Sequence, residues 1–243
     1  MSESSLLRLH AFGLTDRGLV RRQNEDSLLL DDAARLYAVA DGLGGLPEGA
    51  VASELATESL KDFQQEHAWE SFPDFRAMFQ FINERVVKRG QTINSELGIG
   101  TTLTAVHFLD DTLRIGHIGD TGVLLLRGGE LSKLTRDHTM AQEMLDRMGP
   151  EDDPYIPEYY THTLTRCIGQ EGTLQVDVET VSVQPDDRLL LFSDGVTKTH
   201  EFEEIRVLMA DESDPEAFVR TIVNNSNERG GPDNVTAIAI YLE

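Results

Sequence analysis

The chain has 243 residues, 40% apolar and 26% charged, which suffices for one sizeable globular core. Its 43 Asp and Glu against 21 Lys and Arg leave a formal charge of −22. That charge argues against nucleic-acid and anionic-membrane partners, because both demand a cationic surplus. The lone cysteine, Cys167, excludes an intramolecular disulfide and a Cys-based zinc site, and fits a reducing compartment. The acidic surplus has two readings, simple solubility or cation binding. Met1 to His10 holds no apolar run of signal-peptide length, and no stretch approaches the roughly 18 apolar residues of a membrane span. The expectation is a soluble, cytoplasmic protein.

Leu7, Leu9 and Ala11 alternate with polar residues and predict a half-buried strand, followed by a turn at Thr15-Asp16-Arg17-Gly18. Ser27 to Leu30 and Leu36 to Ala40 are short apolar runs that pair as a hairpin across residues 31–35. The period then lengthens. Val51, Leu55, Leu60 and Phe63, then Phe75, Met78, Phe79, Ile82 and Val86, predict two helices, with Pro73 and Asp74 starting the second. Strands return at 101–108, 112–118 and 122–126, with a shorter one at 131–134. Met140 to Met148 predicts a helix stopped by Gly149-Pro150, and Glu151 to Tyr160 predicts a surface flap. Strands at 176–181, 188–192 and 235–241 are interleaved with helices at 203–209 and 215–226. Strands in hairpin-spaced groups, without regular β-α-β alternation, predict an α+β fold of antiparallel sheets covered by helices. No repeat, low-complexity tract or linker divides the chain, so residues 1–243 read as one domain.

Four aspartates recur at strand ends beside small residues: Asp41, Asp120, Asp194 and Asp233. A charged carboxylate at a buried strand end needs compensation, and neighbouring glycines let a ligand approach closely. Magnesium or manganese supplies that compensation with carboxylate, carbonyl and water ligands. Turn chemistry is the commoner account of any one of these sites taken alone, since Asp-Gly is a common hairpin turn. It fits Asp41-Gly42 and Asp194-Gly195 poorly, because helical segments follow both. Arg21, in Arg21-Arg22-Gln23-Asn24-Glu25-Asp26, reads either as a bidentate phosphate clamp or as part of a surface ion-pair cluster.

Eight stretches together resemble the bacterial branch of the metal-dependent serine/threonine protein phosphatases of type 2C. They are Thr15-Asp16-Arg17-Gly18 with Asn24-Glu25-Asp26-Ser27; Ala40-Asp41-Gly42-Leu43-Gly44-Gly45; Gly100-Thr101-Thr102; His117-Ile118-Gly119-Asp120-Thr121; Leu134-Thr135-Arg136-Asp137-His138-Thr139; Leu164-Thr165-Arg166-Cys167-Ile168-Gly169; Phe192-Ser193-Asp194-Gly195; and Gly231-Pro232-Asp233-Asn234-Val235-Thr236. They follow the family's order across residues 13–242. The resemblance implies a four-layer α-β-β-α sandwich with two divalent ions, Mn2+ or Mg2+, at one end, and a place for a third. By this resemblance Asp41 bridges both ions, and the Gly42 carbonyl completes one of them. Asp194 and Asp233 hold the other, and Asp120 joins Asp194 at the third. Glu25 acts through bound water, Arg21 grips the substrate phosphate, and Asn234 stands in or just behind the ligand sphere.

The resemblance further implies attack by a water shared between the ions, without a phosphoenzyme, on phosphoserine or phosphothreonine of proteins. It implies a cognate Ser/Thr kinase whose work is reversed. The flap, read at about residues 140–163, is expected to affect substrate choice through Glu151 to Tyr160. Leu43 stands where animal members carry a histidine proposed as general acid, so that role is open; His138 reads as a structural hydrogen-bonding residue. Nothing in the sequence requires more than a monomer. The other readings are a pseudophosphatase scaffold, opposed by the presence of all four aspartates and Arg21, and a two-metal phosphodiesterase or nuclease, opposed by the acidic charge.

Overall fold

Strands that are apolar on both faces need cover on both sides, and here the cover comes as four layers. The computed structural model describes residues 7–44, 46, 48–66, 74–148 and 155–243. Among these residues the strands are β1 (Leu9–Asp16), β2 (Asp26–Asp31), β3 (Leu36–Asp41), β4 (Leu103–Leu109), β5 (Thr112–Ile118), β6 (Gly122–Arg127), β7 (Glu130–Lys133), β8 (Asp177–Ser182), β9 (Arg188–Phe192) and β10 (Val235–Leu242). They form two antiparallel sheets, ordered β1-β10-β9-β6-β7 and β2-β3-β4-β5-β8. The helices are α1 (Gly49–Glu66), α2 (Phe75–Ile93), α3 (Met140–Arg147), α4 (Glu158–Thr161), α5 (Asp194–Thr197), α6 (Phe202–Asp211) and α7 (Pro215–Glu228).

The layering follows from strand alternation. On β3, Tyr37 and Val39 enter the core between the sheets, whereas Leu36, Ala38 and Ala40 join the cluster under α1 and α2. On β9, Leu189 and Leu191 face the opposite sheet, whereas Leu190 and Phe192 pack with Ile222 and Phe218 of α7. Helix α2 buries Phe75, Met78, Phe79, Ile82 and Val86 at helical spacing, and the Asp74 side chain caps it by accepting from Arg76 N and Ala77 N. Removing one fully buried aromatic such as Phe79 costs about 3–5 kcal/mol. The fold is thus the expected sandwich of two antiparallel sheets flanked by helices.

Some boundaries differ from the sequence reading. Thr15 and Asp16, read as a turn, continue β1, because β10 pairs with the strand up to Thr15↔Thr236 and Asp16↔Val235. Helix α2 runs seven residues past Val86, the last residue of its apolar pattern, to Ile93. Within the expected loop 151–160, residues 158–160 belong to the short helix α4. Residues 149–154 of the expected flap, and Gly45 and Pro73 of the quoted motifs, lie outside the described residues.

Candidate active site

The register of β2 and β3 sets Asp26 opposite Asp41 at one end of the sandwich. The backbone of Asp41 is held by the Gly100-Thr101-Thr102 segment. Thr102 N and Thr101 Oγ1 donate to Asp41 O at 2.8 and 2.9 Å, and Asp41 N donates to Thr102 Oγ1 at 2.9 Å. Gly42 follows in a space closed to side chains, since a Cβ there would lie 2.3 Å from Gly49 O. Asp194 opens α5 just beyond β9, and Asp233 precedes β10. The α5 turn presses on the Asp233 loop so closely that a Cβ on Gly195 would stand 1.9 Å from Asn234 O.

These segments line a cleft of about 690 Å³ that includes Arg21, Glu25, Asp41, Gly42, Asp120, Asp194, Asp233 and Asn234. Every predicted site residue therefore reaches one cleft. Arg21 forks onto Asp233, with Nε donating to Oδ1 at 2.7 Å and Nη2 to Oδ2 at 2.9 Å. Its Nη1 stands so near Gly44 that a Cβ there would lie 2.8 Å away. Asn234 has all its side-chain polar atoms committed. Its Oδ1 accepts from Glu25 N at 2.8 Å, and its Nδ2 donates to Arg17 O and Gln23 O at 2.8 and 3.0 Å. It holds the segment that carries Arg21 and Glu25.

The electrostatics are those of crowded, dehydrated acids. Burial, then the charges of Asp26, Asp194, Asp120 and Asp233, raises the Asp41 carboxyl well above the usual carboxylate range. Burial and the neighbouring Asp194 push Asp120 up to about 7. Asp233 is held below its ordinary value by Lys198 and Arg21 despite its burial. Among the described residues no three Asp, Glu, His or Cys side chains already close on one point as a metal cage. The Lys198 ammonium instead lies between Asp194 Oδ2 and Asp233 Oδ2, at 2.5 Å from each. The donor set still fits a hard divalent ion. Asp194 Oδ1 is buried with no hydrogen-bond partner, and carboxylates crowd beside a bare backbone segment at Gly42.

Three residues at or behind the site escaped the sequence reading. Asp26 is buried behind Asp41, its Oδ2 accepting from Ser193 Oγ at 2.7 Å and Thr236 Oγ1 at 2.6 Å; burial pushes its carboxyl up to about 6. Lys198 lies one helical turn after Asp194. His162 lines the same cleft, with Nδ1 3.8 Å from Asp194 Oδ2. His138 is structural, as expected: its Nδ1 accepts from Gly119 N at 3.1 Å and its Nε2 lies 3.0 Å from Asp177 Oδ2.

The family model for protein phosphatase 2C matches residues 20–238. Protein phosphatase PhpP of Streptococcus pneumoniae is 33% identical over 238 residues, covering 94% of this chain and 96% of that protein. The structure of PppA, described as a key regulatory component of T6SS in Pseudomonas aeruginosa, superimposes with a TM-score of 0.85 at 31% identity, covering 98% of this chain and 99% of that one. The catalytic domain of the serine/threonine protein phosphatase PstP, in complex with two manganese ions, does so with a TM-score of 0.83 at 31% identity, covering 97% and 99%.

Proposed function

The chain belongs to the protein phosphatase 2C family, and on that premise we propose that it is a metal-dependent hydrolase of phosphoserine and phosphothreonine in proteins, opposing a Ser/Thr kinase. The observation that carries this reading is the convergence of Asp41, Asp120, Asp194 and Asp233 with Arg21 on one cleft. Similarity to PstP, whose structure holds two manganese ions, supports Mn2+ as a cofactor; Mg2+ suits the same oxygen donors.

Asp41, the Gly42 carbonyl, Asp194 and Asp233 are the residues that would hold the pair of ions, with Asp120 beside Asp194 as the place for a third. Such ions, when bound, supply a water nucleophile at neutral pH and positive charge for the phosphoryl oxygens. Asp233 keeps the Arg21 fork in one orientation and leaves Nη1 to meet a phosphate oxygen over Gly44. Charge spreads over the equatorial oxygens during transfer, so a donor fixed in advance lowers the barrier. Glu25, anchored through its backbone N–H by Asn234, faces the same space, where it would orient water. Leu43 and Leu46 give the cleft an apolar wall.

Cys167 takes no part. It is partly buried, and burial pushes its thiol up to about 11, far from the thiolate that covalent phosphatase chemistry needs. The net charge of −22 favours phosphoproteins that present a basic face. Among the described residues no helix is long and apolar enough to cross a membrane.

The test is phosphate release from a phosphothreonine peptide with Mn2+, with Mg2+ and with chelator, repeated with Asp194→Asn. Manganese-dependent release that the substitution removes supports the proposal. A folded protein inactive in every metal overturns it in favour of a scaffold.

A further inference from the structure

Helix α5 is a single turn, and it returns the Lys198 side chain over the residue that begins the helix. Lys198 N donates to Asp194 O at 2.9 Å, and its Nζ reaches Asp194 Oδ2 and Asp233 Oδ2, 2.5 Å from each. The lysine side chain is about one-quarter exposed, and Asp194 and Asp233 are more enclosed still. The contact is therefore a sheltered one, in which charge is weakly screened. Both aspartates are residues assigned above to a divalent ion. Asp233 has its other oxygen engaged by Arg21 Nε and by Asn234 N. Oδ2, which also accepts from Arg21 Nη2 at 2.9 Å, is where that carboxylate meets the ammonium, and an ion shared with Asp194, whose Oδ1 is unpartnered, would compete with the ammonium for Asp233 Oδ2. An ammonium and a divalent cation repel each other and cannot both occupy a gap a few ångströms wide.

We propose that Lys198 is a built-in competitor of the divalent ion held by Asp194 and Asp233: its ammonium cross-links the two carboxylates until the metal expels it. This rests on the phosphatase reading above. The lysine spares the ion-free fold the repulsion of two sheltered acids, and in exchange it raises the metal concentration at which the site loads. The contact is charge-assisted and sheltered, so it is broken at a cost that appears as weaker metal affinity. Lys198 acts on the metal and not on the phosphoryl group, which makes it a positioning residue.

The experiment is calorimetric titration of chelator-treated protein with Mn2+, comparing wild type with Lys198→Met, which keeps an unbranched stem and drops the charge. The expected result is unchanged stoichiometry with one site tightened by about tenfold or more. The melting temperature of the chelated variant should be lower than that of chelated wild type, and this gap should narrow at saturating Mn2+. Equal or weaker affinity in the variant overturns the proposal. So does an additional ion bound while the original affinities stay the same, because the lysine would then replace an ion and not compete with one.

A second measurement uses the wild-type protein alone. Acetylation of Lys198 by an amine-reactive ester, followed by mass spectrometry, should be faster in saturating Mn2+ than in chelator. Exposed Lys88 should react alike in both. A Lys198 rate that metal leaves unchanged or lowers counts against competition. Wild type that binds no Mn2+ overturns the phosphatase reading and this proposal together, whereas equal affinities remove only the latter.

Discussion

Replacing Asn234 by alanine tests how the phosphate-binding segment is held. Asn234 is 4% exposed and makes three side-chain hydrogen bonds, to Glu25 N, Arg17 O and Gln23 O. At about 1 kcal/mol for each bond, Asn234→Ala should lower stability by about 3 kcal/mol. A protein of this length would then melt about 6–12 °C lower. Arg21 lies between the two carbonyls that Asn234 pins, so its guanidinium should lose its fixed place. A misplacement of about 1 Å costs up to about 100-fold in rate, and kcat/KM on an aryl phosphate should fall about 10- to 100-fold. Asn234→Asp should be as damaging despite its shape, because it sets oxygen against two carbonyl oxygens and removes both donors. Urea unfolding and steady-state kinetics read the two effects separately. Stability within about 0.5 kcal/mol of wild type together with intact kcat/KM would refute the reasoning, for it would show the segment held by something else.

Asp41→Asn and Asp194→Asn should each abolish metal-dependent turnover with the fold preserved by circular dichroism. Chelated Asp41→Asn should melt at or above the wild-type temperature, since it removes a desolvated acid that its acidic neighbours already disfavour. His107 is buried, and burial and then Arg35 hold its imidazolium value down at about 4. The unfolded chain therefore binds the proton first as pH falls. Stability drops progressively from about pH 6.5 to pH 4, at most about 1.4 kcal/mol per pH unit from this group. His107→Gln should flatten that slope in urea titrations taken at successive pH values, and an unaltered slope would count against the assignment. Cys167 should react slowly with iodoacetamide at pH 7.5 and rapidly once the protein is unfolded; equal rates in the two states would contradict its burial.

Much of the architecture was legible because its signals are local. Arg188–Phe192 is an apolar run bounded by Asp186-Asp187 and Ser193, and the strand begins and ends there. Asp74 before Phe75 marks a helix start that the cap realises. The four aspartates were legible for a similar reason, since each carries glycine or proline beside it. Asp26 was passed over because it lies between Glu25 and Ser27. The hairpin pairing also hides it: counting back equally from a turn at residues 31–35 places Asp26 opposite Ala40, whereas the observed turn is 32–35, with Asp31 paired to Leu36, and that one-residue shift sets Asp26 opposite Asp41. Lys198 and His162 gave no comparable sign. Their meaning depends on Asp233, 35 positions after the lysine, and on Asp194, 32 after the histidine, and nothing in local periodicity brings those pairs together. Helix α5 is a single turn, too short to show a hydrophobic period.

The pairing of β1 with β10 from Leu9↔Leu242 to Asp16↔Val235 reaches beyond architecture. It makes the cleft depend on both the first and the last quarter of the chain, with Arg21 and Asp41 from one and Asp194 and Asp233 from the other. Contacts that close so long a loop form late, because the chain entropy must be spent before they return anything. During synthesis β10 emerges after the other described strands, and until it adds to β9 strand β1 has no partner in its sheet. A nascent chain carrying residues 1–200 would hold Asp41 and Asp194 yet lack Asp233, Asn234 and the strand that fixes Arg21. Ribosome-bound intermediates of this chain should be catalytically silent, with activity beginning only when the C-terminal strand is free to zip into place.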